Sequence, residues 1–253
     1  MILDFSAMVD YGHFRRAVMR QTRYVFGTRT KSFLDRLLAM SGSRSLEMPK
    51  GEFLWRAQLH DDPNENWYAE SPPLSIERMK PLANCREGRI NPKGIPCLYL
   101  AMDQETAMSE VRPWRGAVGT LAKFSTTRNL SLVDCTTSLS VTPDQLATMR
   151  RASGLLQVLT PEEREQSLWE VVNNAFSEPI TLTDTSADYA PTQVLAEMFR
   201  SKGFDGIKFK SSLGTGINVA LFQLTDADVV DPRWKFQAQS VVYDFEVDGK
   251  TNP

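Results

Sequence analysis

The sequence predicts a mixed α+β fold: a compact β-sheet core with flanking helices, behind an N-terminal helical extension. Three observations lead there. Short runs of period-two polarity, such as Leu98 and Leu100 against Cys97 and Tyr99, read as strands. Helix signals alternate with them: Thr160-Pro161-Glu162-Glu163 forms a capping box, and Gly203 stands where a left-handed C-terminal cap belongs. The 253 residues, 42% hydrophobic and 24% charged, suffice for a buried core that needs no staples.

The elements follow in chain order. Tyr11, Phe14 and Val18 recur at i, i+3, i+7, and Phe33, Leu34, Leu37 and Leu38 at i, i+1, i+4, i+5, so two helices precede the break at Ser41-Gly42-Ser43. Residues 1–50 carry nine basic and four acidic side chains, a net of +5 that leaves −7 for the remainder. We read 1–50 as a basic helical extension and 51–253 as the main domain. Its arginines are either solvated helix faces above an apolar stripe buried on that domain, or part of a partner surface; the opposite charge of the remainder favours the buried cap. Residues 53–59 read as a strand, and a Pro-rich polar loop runs to about Pro81. A second strand covers 95–101, and Asp103 caps a short helix to Arg112 that Pro113 helps to end. Residues 117–124 and 130–133 read as strands. The helix behind Thr160 buries Leu168, Val171, Val172 and Ala175, and the next spans about 191–202. Strands at 205–209 and 218–224 flank a Ser/Gly loop. The last run places apolar residues at even positions (Trp234, Phe236, Ala238) and then at odd ones (Val241, Tyr243, Phe245, Val247), implying a bend near Gln239 and Ser240.

Composition narrows the function. With 29 Lys and Arg against 31 Asp and Glu, the chain lacks the basic excess of a dedicated nucleic-acid binder. Three cysteines and two histidines supply neither a disulfide framework nor a zinc site, so no metal is expected. There is no run of about 20 apolar residues and no secretory signal over residues 1–10, so no membrane association is expected and a cytoplasmic location is. P-loop, G-x-G-x-x-G, H-E-x-x-H and G-x-S-x-G motifs are absent, and neither His13 nor His60 has a triad-like context.

One block stands apart. Gly88-Arg89-Ile90-Asn91-Pro92-Lys93-Gly94 is a basic turn leading into a strand with Tyr99, and a helix ending in Glu110 follows. Arg89 and Lys93 could meet phosphate, Tyr99 could stack on a ring, and Glu110 could face a developing positive charge. The alternative is an ordinary strand–helix unit with surface charges.

This block resembles the RES-domain family, bacterial toxins named for an Arg, a Glu and a Ser that recur among them. The resemblance rests on Trp55-Arg56, on Gly88-Arg89-Ile90-Asn91-Pro92-Lys93-Gly94, on Leu98-Tyr99-Leu100-Ala101 and on Glu105-Thr106-Ala107-Met108-Ser109-Glu110. It continues through Thr192-Gln193-Val194-Leu195-Ala196-Glu197 and Asp205-Gly206-Ile207-Lys208-Phe209-Lys210-Ser211, in family order from about residue 51 to 224. Family members often carry Pro where this chain has Lys210, and Ser212 follows directly, so Ser211 and Ser212 both fit the serine position.

The resemblance implies a fold like that of ADP-ribosyltransferase toxins and an enzyme that destroys NAD+ by cleaving its nicotinamide–ribose bond, with water or phosphate as acceptor. It implies Glu110, Arg56 and Ser211 as catalytic residues. Arg89, Tyr99, Asn91, Ser212 and Gln193 are implied as NAD+-binding, Gln193 more as support between helix and loop. It also implies a neutralising antitoxin or immunity protein, an Xre-like domain being one form such a partner takes. An ADP-ribosyltransferase acting on a protein or nucleic acid would use the same cradle, although Met108 stands where such transferases often carry a second acid or Gln. A reading from another class is a non-enzymatic partner- or nucleic-acid-binding module led by the basic extension.

Overall fold

A computed structural model describes residues 5–60, 72–82, 84–136, 161–178 and 186–242. In chain order the elements are α1 (Phe5–Arg20), α2 (Thr28–Met40), β1 (Ser45–Met48), β2 (Phe53–Leu59), β3 (Leu98–Ala101), α3 (Gln104–Glu110), β4 (Val118–Thr126) and β5 (Leu130–Asp134). They continue with α4 (Pro161–Ser177), α5 (Ser186–Ser201), β6 (Gly206–Lys210), β7 (Ile217–Leu221) and β8 (Ala227–Gln237). The strands form one eight-stranded sheet in the order β1-β5-β6-β7-β3-β2-β4-β8. Only β5 and β6 run parallel; the other pairs are antiparallel. The fold is mixed α+β.

Strand parity divides the core. Leu98 pairs with Leu221 and Leu100 with Val219, and these side chains join Leu54, Phe124 and Leu132 in one cluster. Tyr99 pairs with Ala220 on the other parity, and there Ile207, Phe209 and Ala220 meet Trp169 and Phe176 of α4 and Phe199 of α5. Phe14 and Val18 of α1 and Phe33 and Leu37 of α2 belong to this same cluster, with the Phe14 and Phe33 rings stacked at 5.1 Å. The apolar stripes of the first two helices are therefore buried, and their basic faces lie outward. Asp10 fastens the pair, accepting from Arg36 at 2.7 Å and Arg29 at 3.3 Å. Partial burial pushes its carboxyl up, but the two arginines outweigh that and hold it below the usual carboxylate range. A third, smaller cluster packs Ala107 of α3 on Ala57, Ala101 and Leu121.

Several boundaries differ from the sequence expectation. Ser45–Met48 lies inside the segment read as an extension, yet it pairs with β5 and forms one edge of the sheet. β3 begins at Leu98, because Pro96 has no N–H for a ladder. α5 begins at Ser186 and carries Pro191 inside, since the buried stripe already includes Ala190. In α4 the largest buried side chains are Trp169 and Phe176, whereas Val171 is only half-buried. The last run is irregular earlier than expected: Leu121 faces Trp234 while Lys123 faces Val230, so β8 spends extra residues around Asp231-Pro232-Arg233. Proline again breaks the ladder, and β8 stops at Gln237. The side chains of the capping box at 160–163 and residues 243–247 lie outside the described residues.

Candidate functional site

The sheet is nearly divided between β2 and β3. Those strands meet in one residue pair, Trp55 with Ala101, although β2 pairs with β4 along its whole length and β3 with β7 along its own. A cleft of about 350 Å³ lies at this junction. Its floor follows from register: Phe209 pairs with Asn218, Asn218 with Ala101 and Ala101 with Trp55, so four cleft residues form one transverse row over four strands. The C-terminal ends of α3 (Glu110, Val111, Arg112) and α4 (Phe176, Ser177, Glu178) form the walls, and Gly88 and Arg89 close a side.

Arg56 bridges the division. Its Nη1 donates to the Tyr99 carbonyl at 2.8 Å, joining β2 to β3 where backbone pairing stops. Its Nε is buried and has no hydrogen-bond partner among the described residues. Burial pulls the guanidinium below its usual value, countered by Tyr99.

Tyr99 lines the cleft and gives its hydroxyl to the preceding turn. The hydroxyl donates to Asn91 Oδ1 at 2.8 Å and accepts from the Ile90 N–H at 3.0 Å. Burial pushes it well above the usual phenol range, so it remains a donor. Gly88 permits this closure, since a Cβ there would lie 2.9 Å from both Asn91 Oδ1 and the Tyr99 hydroxyl. Asn91 is 3% exposed and its amide donates to the Arg86 carbonyl at 3.1 Å, so it holds the turn from behind and does not line the cleft. Gln193 also lies off the cleft and donates to the carbonyls of Gly88 and Asn91 at 2.9 and 3.1 Å. Arg89 lines the cleft while its guanidinium caps α4, donating to the carbonyls of Ala175 (2.9 Å) and Glu178. A cation there suits the negative end of the helix dipole.

Glu110 ends α3 as an exposed side chain on the cleft wall. Asp103 begins that helix, accepting from the Thr106 N–H at 2.7 Å as its N-cap. The Glu110 Oε1 accepts from Ser211 Oγ at 2.7 Å and from Asn218 Nδ2 at 2.6 Å. Ser211 is buried, whereas its neighbour Ser212 is exposed and lines the cleft. Gly216 lets this loop reach α3, because a Cβ there would collide with Thr106 Oγ1.

Sequence reasoning missed Asn218, Lys210, Ser177, Trp55 and Arg112. Asn218 had a signal, a polar amide opening the otherwise apolar run Val219-Ala220-Leu221. Arg112, at φ 48, is the one non-glycine residue with positive φ among those described. None of the described residues forms a group of three or more His, Cys, Asp or Glu able to hold a metal, and none forms a helix long and apolar enough to cross a membrane.

Comparison with known families finds the RES domain matched over residues 53–244, three quarters of the chain. The chain belongs to the RES-domain family. The RES match begins at the first residue of β2 and so takes in both sides of the cleft, leaving α1, α2 and β1 ahead of it. Among curated proteins there is no match. Among solved structures, this RES chain is similar to one in the crystal structure of the M. tuberculosis MbcT-MbcA toxin-antitoxin complex, at 18% identity and a TM-score of 0.41. That similarity covers 80% of this chain and 92% of the other.

Proposed function

We propose that this RES-domain protein is a toxin that depletes NAD+ by cleaving its nicotinamide–ribose bond. The observation that carries the proposal is the Glu110 carboxylate, fixed at one oxygen by Ser211 and Asn218, in a cleft also lined by Arg56, Arg89 and Tyr99. Nicotinamide in NAD+ is bound through a positively charged ring nitrogen. When the C1′–N bond breaks, the electron pair leaves with nicotinamide as a neutral molecule, and no general acid is required. The charge that develops lies on the ribosyl carbon and ring oxygen. The Glu110 carboxylate meets it electrostatically, and its second oxygen can accept from a ribose hydroxyl. Water or inorganic phosphate then bonds C1′ and releases a proton.

The arginines suit a diphosphate, for which planar forks are preferred over point charges. Arg56 supports this role through its Nε, unpaired among the described residues, in a half-buried position where an anion would offset the cost of desolvation. Met108, two residues before Glu110, packs into the apolar cluster beneath α3, so that position offers no second polar group to a macromolecular acceptor. This favours cleavage over transfer. As a toxin the protein would need a cognate antitoxin or immunity protein, and a partner that covers the cleft would suffice.

Incubation of the purified protein with NAD+, followed by chromatography for nicotinamide, tests the reading. Nicotinamide should accumulate in step with ADP-ribose or its phosphate ester. Intact NAD+ after prolonged incubation with folded protein would refute it, and nicotinamide accompanied by a labelled macromolecule would indicate transfer.

A further inference from the structure

We infer that Asn218 is a positioning residue for Glu110, holding one carboxylate oxygen so that the other is presented to the substrate. The inference rests on the reading of Glu110 as the group that meets the ribosyl cation. Glu110 is the last residue of a seven-residue helix and is exposed, so its three side-chain torsions are not fixed by packing. Freezing a side chain of this kind costs conformational entropy, and something must supply it. Two donors from different parts of the fold converge on the same atom, Oε1, at 2.7 and 2.6 Å. The other oxygen, Oε2, takes no hydrogen bond from any described residue.

The two donors are not equivalent. Ser211 begins a Ser/Gly loop, and its Oγ also accepts from the Leu213 N–H at 3.1 Å. Asn218 sits inside the sheet, paired with Ala101 on one side and Phe209 on the other, and is 7% exposed. It is the rigid member of the pair. Its amide is an uncharged donor at every pH, so it orients the carboxylate without neutralising it. The fixed point for α3 therefore comes from a strand more than a hundred residues downstream.

Three variants test this with nicotinamide release as a function of pH. Asn218→Ala should lower kcat by about 10²-fold, the scale of a misplaced reacting group, with a smaller change in KM. Asn218→Asp sets two carboxyls in hydrogen-bond contact, which titrate as a pair. While the pair holds one proton, the new acid donates to Glu110 and turnover is retained. As pH rises through loss of that proton, turnover should fall along a limb that the wild type lacks. Arg56, Arg89, Tyr99, Arg112, Glu178 and Lys210 line the same cleft and are common to every variant, so they cannot create that limb. Wild-type kcat in Asn218→Ala, or a wild-type pH profile in Asn218→Asp, beside an inactive Glu110→Gln, would overturn the inference alone. Wild-type turnover in Glu110→Gln would instead overturn the reading of Glu110. If Asn218→Ala fails to fold, the pH limb of Asn218→Asp decides.

Discussion

Glu110→Gln keeps the length of the side chain and removes its charge. If the carboxylate meets a ribosyl cation, nicotinamide release should fall by about 10² to 10³ while the melting curve is unchanged. Arg56→Lys should be nearly as damaging for a different reason. A lysine can reach the Tyr99 carbonyl or the substrate, but it cannot serve both with a planar fork, so KM for NAD+ should rise in steady-state assays. Tyr99→Phe separates structure from chemistry: it leaves the ring and strips the Ile90 N–H and Asn91 Oδ1 of their partner. Urea unfolding should show a loss of about 1–3 kcal/mol, the cost of unsatisfied buried groups. At this scale the sequence was legible where residues sit close together along the chain. The turn at 88–94, Tyr99 and Glu110 fall within 23 positions, and their motifs mark them. Asn218 could not be linked to Glu110, because a contact across 108 residues exists only once strand order is known. Asn91 shows the converse, since a motif residue can be conspicuous because it holds a turn.

Elements carry their own tests. Gly216→Ala would drive a methyl group into Thr106, separating the β6–β7 loop from the start of α3. Turnover should drop although the residue touches no substrate, and Thr106→Ala in the same chain should restore part of it by removing the obstructing hydroxyl. Acid should act through carboxylates that tie elements together. Asp134 accepts from Lys208 across β5 and β6, and Asp205 from Arg128; burial raises both carboxyls, but their hydrogen bonds outweigh it and hold them below the ordinary 3.8. Groups lowered by folding contribute stability above the unfolded value and lose it as pH falls through the folded one. The melting temperature should therefore decline below about pH 4, and less steeply in Asp134→Asn. Strands were readable as elements because alternation marks them, and β2 has the boundaries that its pattern implies. The order β7-β3-β2-β4 was not readable, because pairing partners are chosen by packing over the whole sheet. β1 was hidden for a related reason: four residues give too short a period to stand out from the helices before them.

For the molecule as a whole, the first two helices are part of the interior. Phe14 and Leu37 are fully buried against side chains of α4 and α5, so Phe14→Ala should cost about 3–5 kcal/mol in equilibrium unfolding. Deleting residues 1–45 would uncover part of the surface around Trp169 and Phe199, and differential scanning calorimetry should show a broadened, lower transition. The near-division of the sheet has a mechanical consequence. Five strands (β1, β5, β6, β7, β3) and three strands (β2, β4, β8) share one backbone rung and the Arg56 bridge, and otherwise hold together through side chains of both halves packed in common apolar clusters. A dinucleotide lying in the cleft would grip Trp55 and Arg56 on one half and Tyr99 and Asn218 on the other, acting as a clasp across a hinge line. A non-cleavable NAD+ analogue at 100 times its Kd would add about 2.7 kcal/mol to the bound state. That gain should be felt far from the ligand, as slower deuterium uptake along β4 and β8 when the clasp is shut.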